Sequence, residues 1–199
     1  SAVSDKTKLF ILDAISSPTG IVFPIERIVK ELEARGVMVL VDAAHALGQI
    51  EIDIESLGAS FYVSNAHKWL CAPKGTAFLH VSKKHQQWVN PLAISHGYSR
   101  SVSYCSRFQL QFGWTGTRDC SAWFTLPMLL NIFDDIGGWK AVQKSNVLRA
   151  THLRKQIEQI FKVPPLAPDE MFSHMGSILV PQHIKALPEY QVPEGETLD

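Results

Sequence analysis

The sequence predicts an α/β fold in which a mostly parallel sheet is covered by helices. Two observations support this fold class. Short apolar segments recur along residues 8–81, and the most apolar of them lacks the alternation of a half-exposed strand. Apolar residues at helical spacing separate the first two segments, and strands joined by such crossovers pair in parallel.

The first β-α-β unit is the clearest part of the chain. Lys8–Asp13 is an apolar run that ends at the turn sequence Ser16–Gly20, so we predict a buried strand. The next helix begins at Pro24, because proline suits a first helical position, and ends at Gly36. Val37–Val41 is apolar at every position and is predicted as a strand buried on both faces.

Two further strands are predicted at Phe61–Val63 and Thr76–Val81. Periodicity then fades between Trp88 and Gln111, which indicates a long connection of the kind that often carries function. A helix resumes near Asp119 and continues to the glycine pair at 137–138.

A second long helix is predicted from Trp139 to about Phe161. Prolines at 164, 165 and 168 then break the chain, and Ser177–Val180 is predicted as the first strand of a small C-terminal α/β subdomain. We therefore divide the chain into residues 1–162 and 163–199. One face of the long helix carries an apolar stripe formed by Ala150, Leu153, Ile157 and Ile160.

Composition favours a small-molecule partner. The chain has 19 Lys and Arg against 19 Asp and Glu, without a run of like charge, which argues against nucleic acid and membrane surfaces. No apolar run approaches the ~20 residues that span a bilayer. The odd set of Cys71, Cys105 and Cys120 lacks metal-site or disulfide spacing, which favours a reducing compartment, and we expect the cytoplasm.

Asp42 stands at the carboxyl end of the most apolar predicted strand. A buried carboxylate needs a cationic or hydrogen-bonding partner, and ligands of open α/β sheets bind at this edge. The alternative is that Asp42 caps a helix beginning at Ala43. From this segment alone, the two explanations are equally good.

Lys68 follows the Phe61–Val63 strand and is predicted to reach the same edge. Its neighbours His67 and Trp69 place it where desolvation favours the neutral amine that Schiff-base chemistry requires. Taken singly, Lys68 is better explained as a solvated surface charge. Together with Asp42, however, it supplies the two protein groups that pyridoxal phosphate requires.

Three motifs carry a resemblance to a known family: VDAAHALGQ (Val41–Gln49), SNAHKWLCAPKGTAFL (Ser64–Leu79) and WTGTRD (Trp114–Asp119). With them the chain resembles class V aminotransferases of pyridoxal-phosphate fold type I, in particular the isopenicillin N epimerase-like branch. The resemblance runs from about Leu9 to about Pro181. It implies that residues 1–162 form part of the cofactor-binding large domain, and it covers only the middle of a family member.

The resemblance implies a role for each matched residue. Lys68 is the Schiff-base lysine, and Asp42 pairs with the pyridine nitrogen. His45 takes the place of the residue that contacts the cofactor's ring oxygen or ring face. Asn65 and His67 occupy positions that bind the phosphate.

Two more positions are matched less closely. Thr117 corresponds to a residue that reaches the phosphate of the neighbouring subunit's cofactor, which implies a homodimer with shared sites. From the residues alone, ordinary helix capping by Thr117 or Asp119 explains the same segment. Ser17 stands in the turn after the first strand, where related desulfurases have an asparagine near the cofactor.

A metal site is not expected. The histidines and Asp42 match no zinc spacing, and His80 lies inside an apolar strand. The relevant histidines are His45, His67, His80 and His85.

The resemblance implies an enzyme that forms a Cα carbanion on an amino acid, and the sequence does not choose among epimerisation, transamination and C–S cleavage. Epimerase-like activity is the first hypothesis, with aminotransferase or C–S lyase activity as alternatives. A third hypothesis is a truncated, catalytically incomplete fragment that lacks the family's N-terminal phosphate turn and C-terminal substrate arginine. Such a fragment is expected to expose apolar surface.

Overall fold

The structure is a computed structural model that describes residues 3–99 and 103–181, and it has the predicted α/β architecture. Within those residues the strands are β1 (Leu9–Asp13), β2 (Met38–Asp42), β3 (Phe61–Asn65) and β4 (Ala77–Val81). The α-helices are α1 (Ile25–Ala34), α2 (Ile54–Leu57), α3 (Arg107–Gly113), α4 (Ser121–Phe124), α5 (Leu126–Asp135) and α6 (Trp139–Phe161). Single 3₁₀ turns lie at Lys83–His85 and Asp169–Met171.

The sheet has the strand order β1-β2-β3-β4. The first three strands are parallel, and β4 runs antiparallel to β3 because only a short loop connects them. The predicted mostly parallel sheet is therefore confirmed. Because β1, β2 and β3 run in the same direction, their carboxyl ends meet at one edge of the sheet.

The main core lies between α1 and one face of the sheet. Val29 and Leu32 of α1 belong to the same buried cluster as Val39, Val41 and Tyr62. A second cluster joins the loop after β3 to α5 and α6. Its members are Ala66, Leu70, Ala72 and Phe133, with Leu126, Leu129, Trp139 and Val142 packed against them.

β1 is an edge strand, and the prediction that it is buried was wrong. Leu9 is 42% exposed and Ile11 is 62% exposed. Val39 and Val41 on β2 are fully buried. The side chains of β1 that are exposed alternate with those that pack toward α1, so one face of this strand stays open.

The helix α3 lies where the sequence analysis predicts irregular structure, and the helix α2 lies where it makes no prediction. α3 occupies the end of the long connection, and its start is a capping box between Ser106 and Gln109. α2 begins after Asp53, whose side chain accepts a hydrogen bond from the backbone N–H of Ser56. Both helices are short, with 7 and 4 residues, and too short for apolar periodicity to show.

The single helix predicted from Asp119 to the glycine pair is two helices, α4 and α5. Pro127 lies in the first turn of α5, where its missing N–H costs no hydrogen bond. A proline in the middle of a continuous helix would remove such a bond, and the helix therefore restarts at Leu126.

α6 has the predicted bounds, but its predicted apolar face does not pack into the described core. Leu153 is 57% exposed and Ile160 is 73% exposed. The buried side chains of α6 are Arg154 and Glu158, whose charged groups lie 2.5 Å apart. Arg154 also binds Asp169, so a polar face of α6 holds the segment that follows it.

Several large apolar side chains of the described residues are exposed, as the fragment hypothesis predicts. They include Phe124, Met128, Leu130, Ile132 and Ile136 on α4, α5 and the turn that follows. No helix within residues 3–99 and 103–181 is long and apolar enough to cross a membrane. The predicted strand at Ser177–Val180 is not formed. Residues 182–199 lie outside the described part of the chain, so the division into residues 1–162 and 163–199 stays a prediction.

Candidate active site

Polar side chains gather at the edge where the parallel strands end. In the strand register, Asp13 lies beside Asp42, and Asp42 lies beside Val63. Asp42 Oδ1 accepts a hydrogen bond from the backbone N–H of Ala44 at 3.0 Å, and its Oδ2 has no hydrogen-bond partner among the described residues. The chain after Asp42 forms turns, so Asp42 does not cap an α-helix.

Lys68 reaches the same region from the loop after β3. Its Nζ lies 3.0 Å from Nε2 of His45, which stands in the turn after β2. The indole N–H of Trp69 donates a hydrogen bond to Nδ1 of His45 at 3.3 Å. All three side chains are half-buried, and together they join two motifs that are 23 positions apart in the chain.

The surroundings of His45 favour its neutral ring. Burial is the largest influence and lowers the pKa of His45, and the neighbouring amine of Lys68 acts in the same direction. The carboxylates of Asp42 and Asp13 oppose this change without cancelling it. The Lys68 side chain and the carboxylates of Asp42 and Asp13 therefore all act on one imidazole.

Asn65 and His67 flank this arrangement. Asn65 ends β3 opposite Ala77, and its side chain makes no hydrogen bond to any described residue. His67 Nδ1 lies 3.1 Å from the carbonyl oxygen of Thr76. Because a carbonyl only accepts, Nδ1 of His67 is the donor in this hydrogen bond. Their assignment to the cofactor phosphate stays a prediction.

Ser17 and Thr117 are not joined to Lys68 by any hydrogen bond or ion pair within the described residues. Ser17 is exposed in the turn after β1, and Thr117 is exposed in the loop between α3 and α4. The resemblance assigns Thr117 to the site of a neighbouring subunit, and its exposure is compatible with that assignment. Both assignments stay predictions.

Gln49 supports the turn that carries His45, and the sequence analysis gave it no role. The side chain is buried, and its Nε2 donates to the carbonyl oxygen of His45 at 2.9 Å. Its Oε1 accepts from the backbone N–H of His174 at 3.0 Å, and its own carbonyl accepts from Ser173 Oγ at 2.8 Å. These partners are more than 120 positions away, so no local sequence pattern could identify them.

Gly48 allows the same turn to approach the Lys68 loop. Its φ is +96°, and a Cβ at this position would lie 2.7 Å from the carbonyl carbon of Trp69 and 2.9 Å from the backbone nitrogen of Leu70. Only glycine fits both the conformation and the space. The turn of His45 and the loop of Lys68 are therefore packed backbone to backbone.

Trp69 and Asp13 were also missed as site residues. The sequence analysis treats Trp69 as an apolar neighbour of Lys68 and Asp13 as the end of a strand. Trp69 in fact contacts His45 through its N–H, and its ring packs edge-on against His174 with centroids 5.6 Å apart. The position of Asp13 at a parallel strand end was the signal that could have identified it.

Two other histidines considered in the sequence analysis, His80 and His85, lie outside this cluster. His80 pairs with Tyr62 across β3 and β4, and His85 Nε2 lies 2.9 Å from Ser60 Oγ. No group of three or more His, Cys, Asp or Glu side chains in the described part of the chain could hold a metal ion.

Comparison with known proteins identifies the family. The family model for aminotransferase class-V matches residues 1–183, and the chain belongs to this family. The "Probable L-cysteine desulfhydrase, chloroplastic" of Arabidopsis thaliana is 32% identical over 178 residues, which is 88% of this chain and 37% of that protein. Isopenicillin N epimerase of Amycolatopsis lactamdurans is 30% identical over 159 residues, 75% of this chain and 40% of that protein.

The fold has a counterpart among solved structures. The apo structure of cysteine desulfurase from Thermococcus onnurineus NA1 matches with a TM-score of 0.73 and 21% identity, over 88% of this chain and 44% of that chain. This likeness supports the α/β fold described above. The chain spans 44% or less of the length of these relatives.

Enzymes of the class-V family depend on pyridoxal phosphate, and the described residues fit this cofactor. Asp42 offers a carboxylate oxygen with no partner in the described part of the protein, which suits a protonated pyridine nitrogen. Lys68 offers a half-buried amine at the same edge of the sheet. The donor set therefore has the two groups that this cofactor requires.

Proposed function

We propose that the protein acts on an amino acid with pyridoxal phosphate held covalently by Lys68. The observation that carries the proposal is the 3.0 Å approach of Lys68 Nζ to His45, in the turn that directly follows Asp42. Asp42 would hold the pyridine nitrogen, and His45 would lie beside the ring. Asn65 and His67 are the candidates for the phosphate.

Each of these residues has a separate proposed role. When bound, the cofactor acts as an electron sink for the substrate's Cα. Asp42 keeps the ring nitrogen protonated, because a carboxylate at this sheet edge favours a neighbouring positive charge. Lys68 would act as the general base for the substrate's Cα proton, since a neutral amine has a lone pair to accept it. His45 holds the Lys68 amine in place.

Epimerisation, in the manner of isopenicillin N epimerase, is our first candidate for the outcome, since the motifs favour that branch. C–S bond cleavage is the second candidate, and one observation favours it specifically. Three relatives named L-cysteine desulfhydrase match 88–89% of this chain and a fourth matches 71%, whereas two named isopenicillin N epimerase match 75% and 69%. Transamination is the third outcome open to the same Lys68 chemistry.

We also propose a homodimer in the cytoplasm, with Thr117 reaching the partner's cofactor. The exposed position of Thr117 supports this proposal, because a residue that serves a second subunit must be accessible to it. Sedimentation velocity of the chain with and without cofactor tests it. A monomer in both conditions contradicts the shared site.

The test of the proposed function is a pyridoxal phosphate titration followed by absorbance, with three variants. Wild type and the exposed-lysine control Lys74→Ala are expected to give the same saturable spectral change. Lys68→Ala is expected to lose it, and Asp42→Asn to weaken it. Equal spectra for wild type and Lys68→Ala contradict the proposal.

Product analysis then separates the outcomes. Incubation of the loaded protein with L-cysteine is followed by sulfide release, and incubation with other amino acids by chiral chromatography and keto-acid assays. Sulfide identifies C–S cleavage, a D-isomer identifies epimerisation, and a keto acid without sulfide identifies transamination. None of these products in a protein that binds the cofactor at Lys68 would support the fragment hypothesis.

A further inference from the structure

Residues 171–177, which follow α6, contact the loops after all three parallel strands. The contacts with the loops after β1 and β2 are hydrogen bonds, and the contact with the loop after β3 is between two rings. The pairs are Ser177 Oγ and the Thr19 carbonyl oxygen at 2.7 Å, Ser173 Oγ and the Gln49 carbonyl oxygen at 2.8 Å, and the rings of His174 and Trp69 with centroids 5.6 Å apart. One short segment therefore joins the three loops at the sheet edge where the candidate site lies.

The helix α6 holds the same segment in place. The guanidinium carbon of Arg154 lies 4.5 Å from the centroid of the Phe172 ring. A Cβ at Gly176 would lie 3.2 Å from Cδ of Arg154, so the backbone of the segment packs against the same side chain. Arg154 is buried, and its charge is paired with Glu158. The segment is therefore anchored by a buried side chain that takes no part in the candidate site.

Gln49 connects the anchored segment to His45. Its Oε1 accepts a hydrogen bond from the backbone N–H of His174 at 3.0 Å, and its Nε2 donates to the carbonyl oxygen of His45 at 2.9 Å. Gln49 is only 2% exposed, so water cannot easily replace either partner. The backbone carbonyl of Gln49 accepts the bond from Ser173. The position of the turn that carries His45 thus depends on residues 173 and 174.

A small displacement of this turn is enough to change the site. Lys68 Nζ lies 3.0 Å from Nε2 of His45. A side-chain hydrogen bond is lost at about 3.6 Å, so a shift of the His45 turn by about 0.6 Å away from Lys68 breaks the contact. The bonds that fix the turn therefore also fix this distance.

We propose that Gln49 is a positioning residue through which residues 171–177 hold the His45 ring against Lys68. The inference rests on the proposed function, since the contact with Lys68 serves a reaction only if Lys68 holds the cofactor. It extends that function to a segment whose contact with Gln49 joins residues 125 positions apart. The segment acts on Lys68 through two intermediates, Gln49 and His45.

The first experiment measures how firmly the His45 ring is held in the full chain without cofactor. Diethyl pyrocarbonate modifies accessible imidazole nitrogens, and both ring nitrogens of His45 are in contact with neighbouring side chains. Peptide mass analysis gives the modification rate at His45, with exposed His152 as the internal standard. At about pH 8 histidine rings are neutral, so the rate reports access to the ring and not its charge.

The variants remove single contacts along the proposed connection. Ser173→Ala is expected to raise the rate at His45 about fivefold, the size expected for loss of one hydrogen bond. Gln49→Leu is expected to raise it further, because both bonds of the side chain are lost. Ser177→Ala is the matched control, since it deletes a hydroxyl of the same segment that bonds the turn after β1, and no change is expected.

Two results overturn the inference. One is a wild-type rate at His45 in Ser173→Ala, and the other is an equal rise in Ser173→Ala and Ser177→Ala, which indicates general loosening of the segment. Circular dichroism checks that each variant is folded. Ser173→Ala changes only one hydroxyl, so it provides the test even if Gln49→Leu does not fold.

The second experiment is a pyridoxal phosphate titration of wild type and the two serine variants, followed by absorbance. The half-saturating concentration is expected to rise in Ser173→Ala by about the same factor as the modification rate, and to stay unchanged in Ser177→Ala. Equal binding by all three proteins contradicts the inference and leaves the proposed function standing. The expected modification pattern in a chain that does not bind the cofactor supports the role of Gln49 and contradicts the proposed function.

Discussion

Gly48 is the position where one methyl group tests the packing of the site. Gly48→Ala places a Cβ 2.7 Å from the carbonyl carbon and 2.8 Å from the carbonyl oxygen of Trp69. Both atoms belong to the backbone of the loop that carries Lys68, so no side-chain rotation relieves the overlap. The substitution must separate the His45 turn from that loop or distort one of them.

The expected loss of stability has two parts. Alanine at a positive φ costs about 1 to 2 kcal/mol relative to glycine. Overpacking against well-packed atoms adds about 1 to 3 kcal/mol. Gly36→Ala is the matched control, because Gly36 also has a positive φ, +75°, but nothing within 4 Å of the added Cβ. Only the conformational part is expected there.

Urea unfolding of both variants, followed by far-UV circular dichroism, measures the difference. Gly48→Ala is expected to be less stable than Gly36→Ala by about 1 to 3 kcal/mol, which is the steric part alone. Equal stability of the two variants would refute the argument that the turn and the loop are packed backbone to backbone.

Three further predictions use the same unfolding assay. Gln49→Leu is expected to lower the free energy of unfolding by about 2 to 4 kcal/mol, because it leaves two part-buried backbone groups without their side-chain partners. A loss below about 1 kcal/mol contradicts the role given to this side chain. Arg154→Met is expected to lower the free energy of unfolding by about 3 to 5 kcal/mol, because it leaves a buried carboxylate unpaired. Lys155→Met removes an exposed ion pair and is expected to change the stability little. Similar losses in the two variants contradict the buried network. Burial lowers the pKa of His174, with the backbone of Gln143 opposing, so the unfolded chain takes up a proton at higher pH than the folded chain. The free energy of unfolding is therefore expected to fall as the pH drops below about 6.5. The fall is expected to be less steep in His174→Gln than in His152→Gln, a control at an exposed histidine. Equal pH dependence in the two variants contradicts the role of His174.

Where the local sequence pattern determines a strand or helix, its bounds were predicted to within about one residue. Val37–Val41 was expected as a strand, and β2 is Met38–Asp42. The α6 helix has the predicted ends because its periodicity extends over 23 residues. Features that depend on the number and order of strands were not predictable. The exposure of Ile11 follows from the position of β1 at the sheet edge, which no property of the apolar run itself reveals.

α6 shows the same limit for packing. An apolar stripe predicts which side chains are suited to burial, but it does not say whether a partner surface is present in the chain. Leu153 and Ile160 are suited to burial and are exposed. Arg154 is charged and buried, because two carboxylates and the ring of Phe172 surround its guanidinium group.

For the candidate site, the sequence placed the reactive groups but not their supports. Asp42 and Lys68 were predicted at one edge because both follow strands of a parallel sheet, a rule that needs only strand order. The link between Trp69 and His45 depends on the relative orientation of two loops, which no strand rule specifies. Gln49 is bonded to the distant segment at Ser173, and contacts across such separations leave no pattern in a single sequence.

Covalent trapping tests the central claim most directly. The purified chain is incubated with pyridoxal phosphate, reduced with borohydride, and digested for peptide mass analysis. We predict a single major modified peptide that carries the cofactor on Lys68. Modification spread over exposed lysines such as Lys74, with Lys68 unmodified, would contradict the assignment of Lys68 as the residue that holds the cofactor.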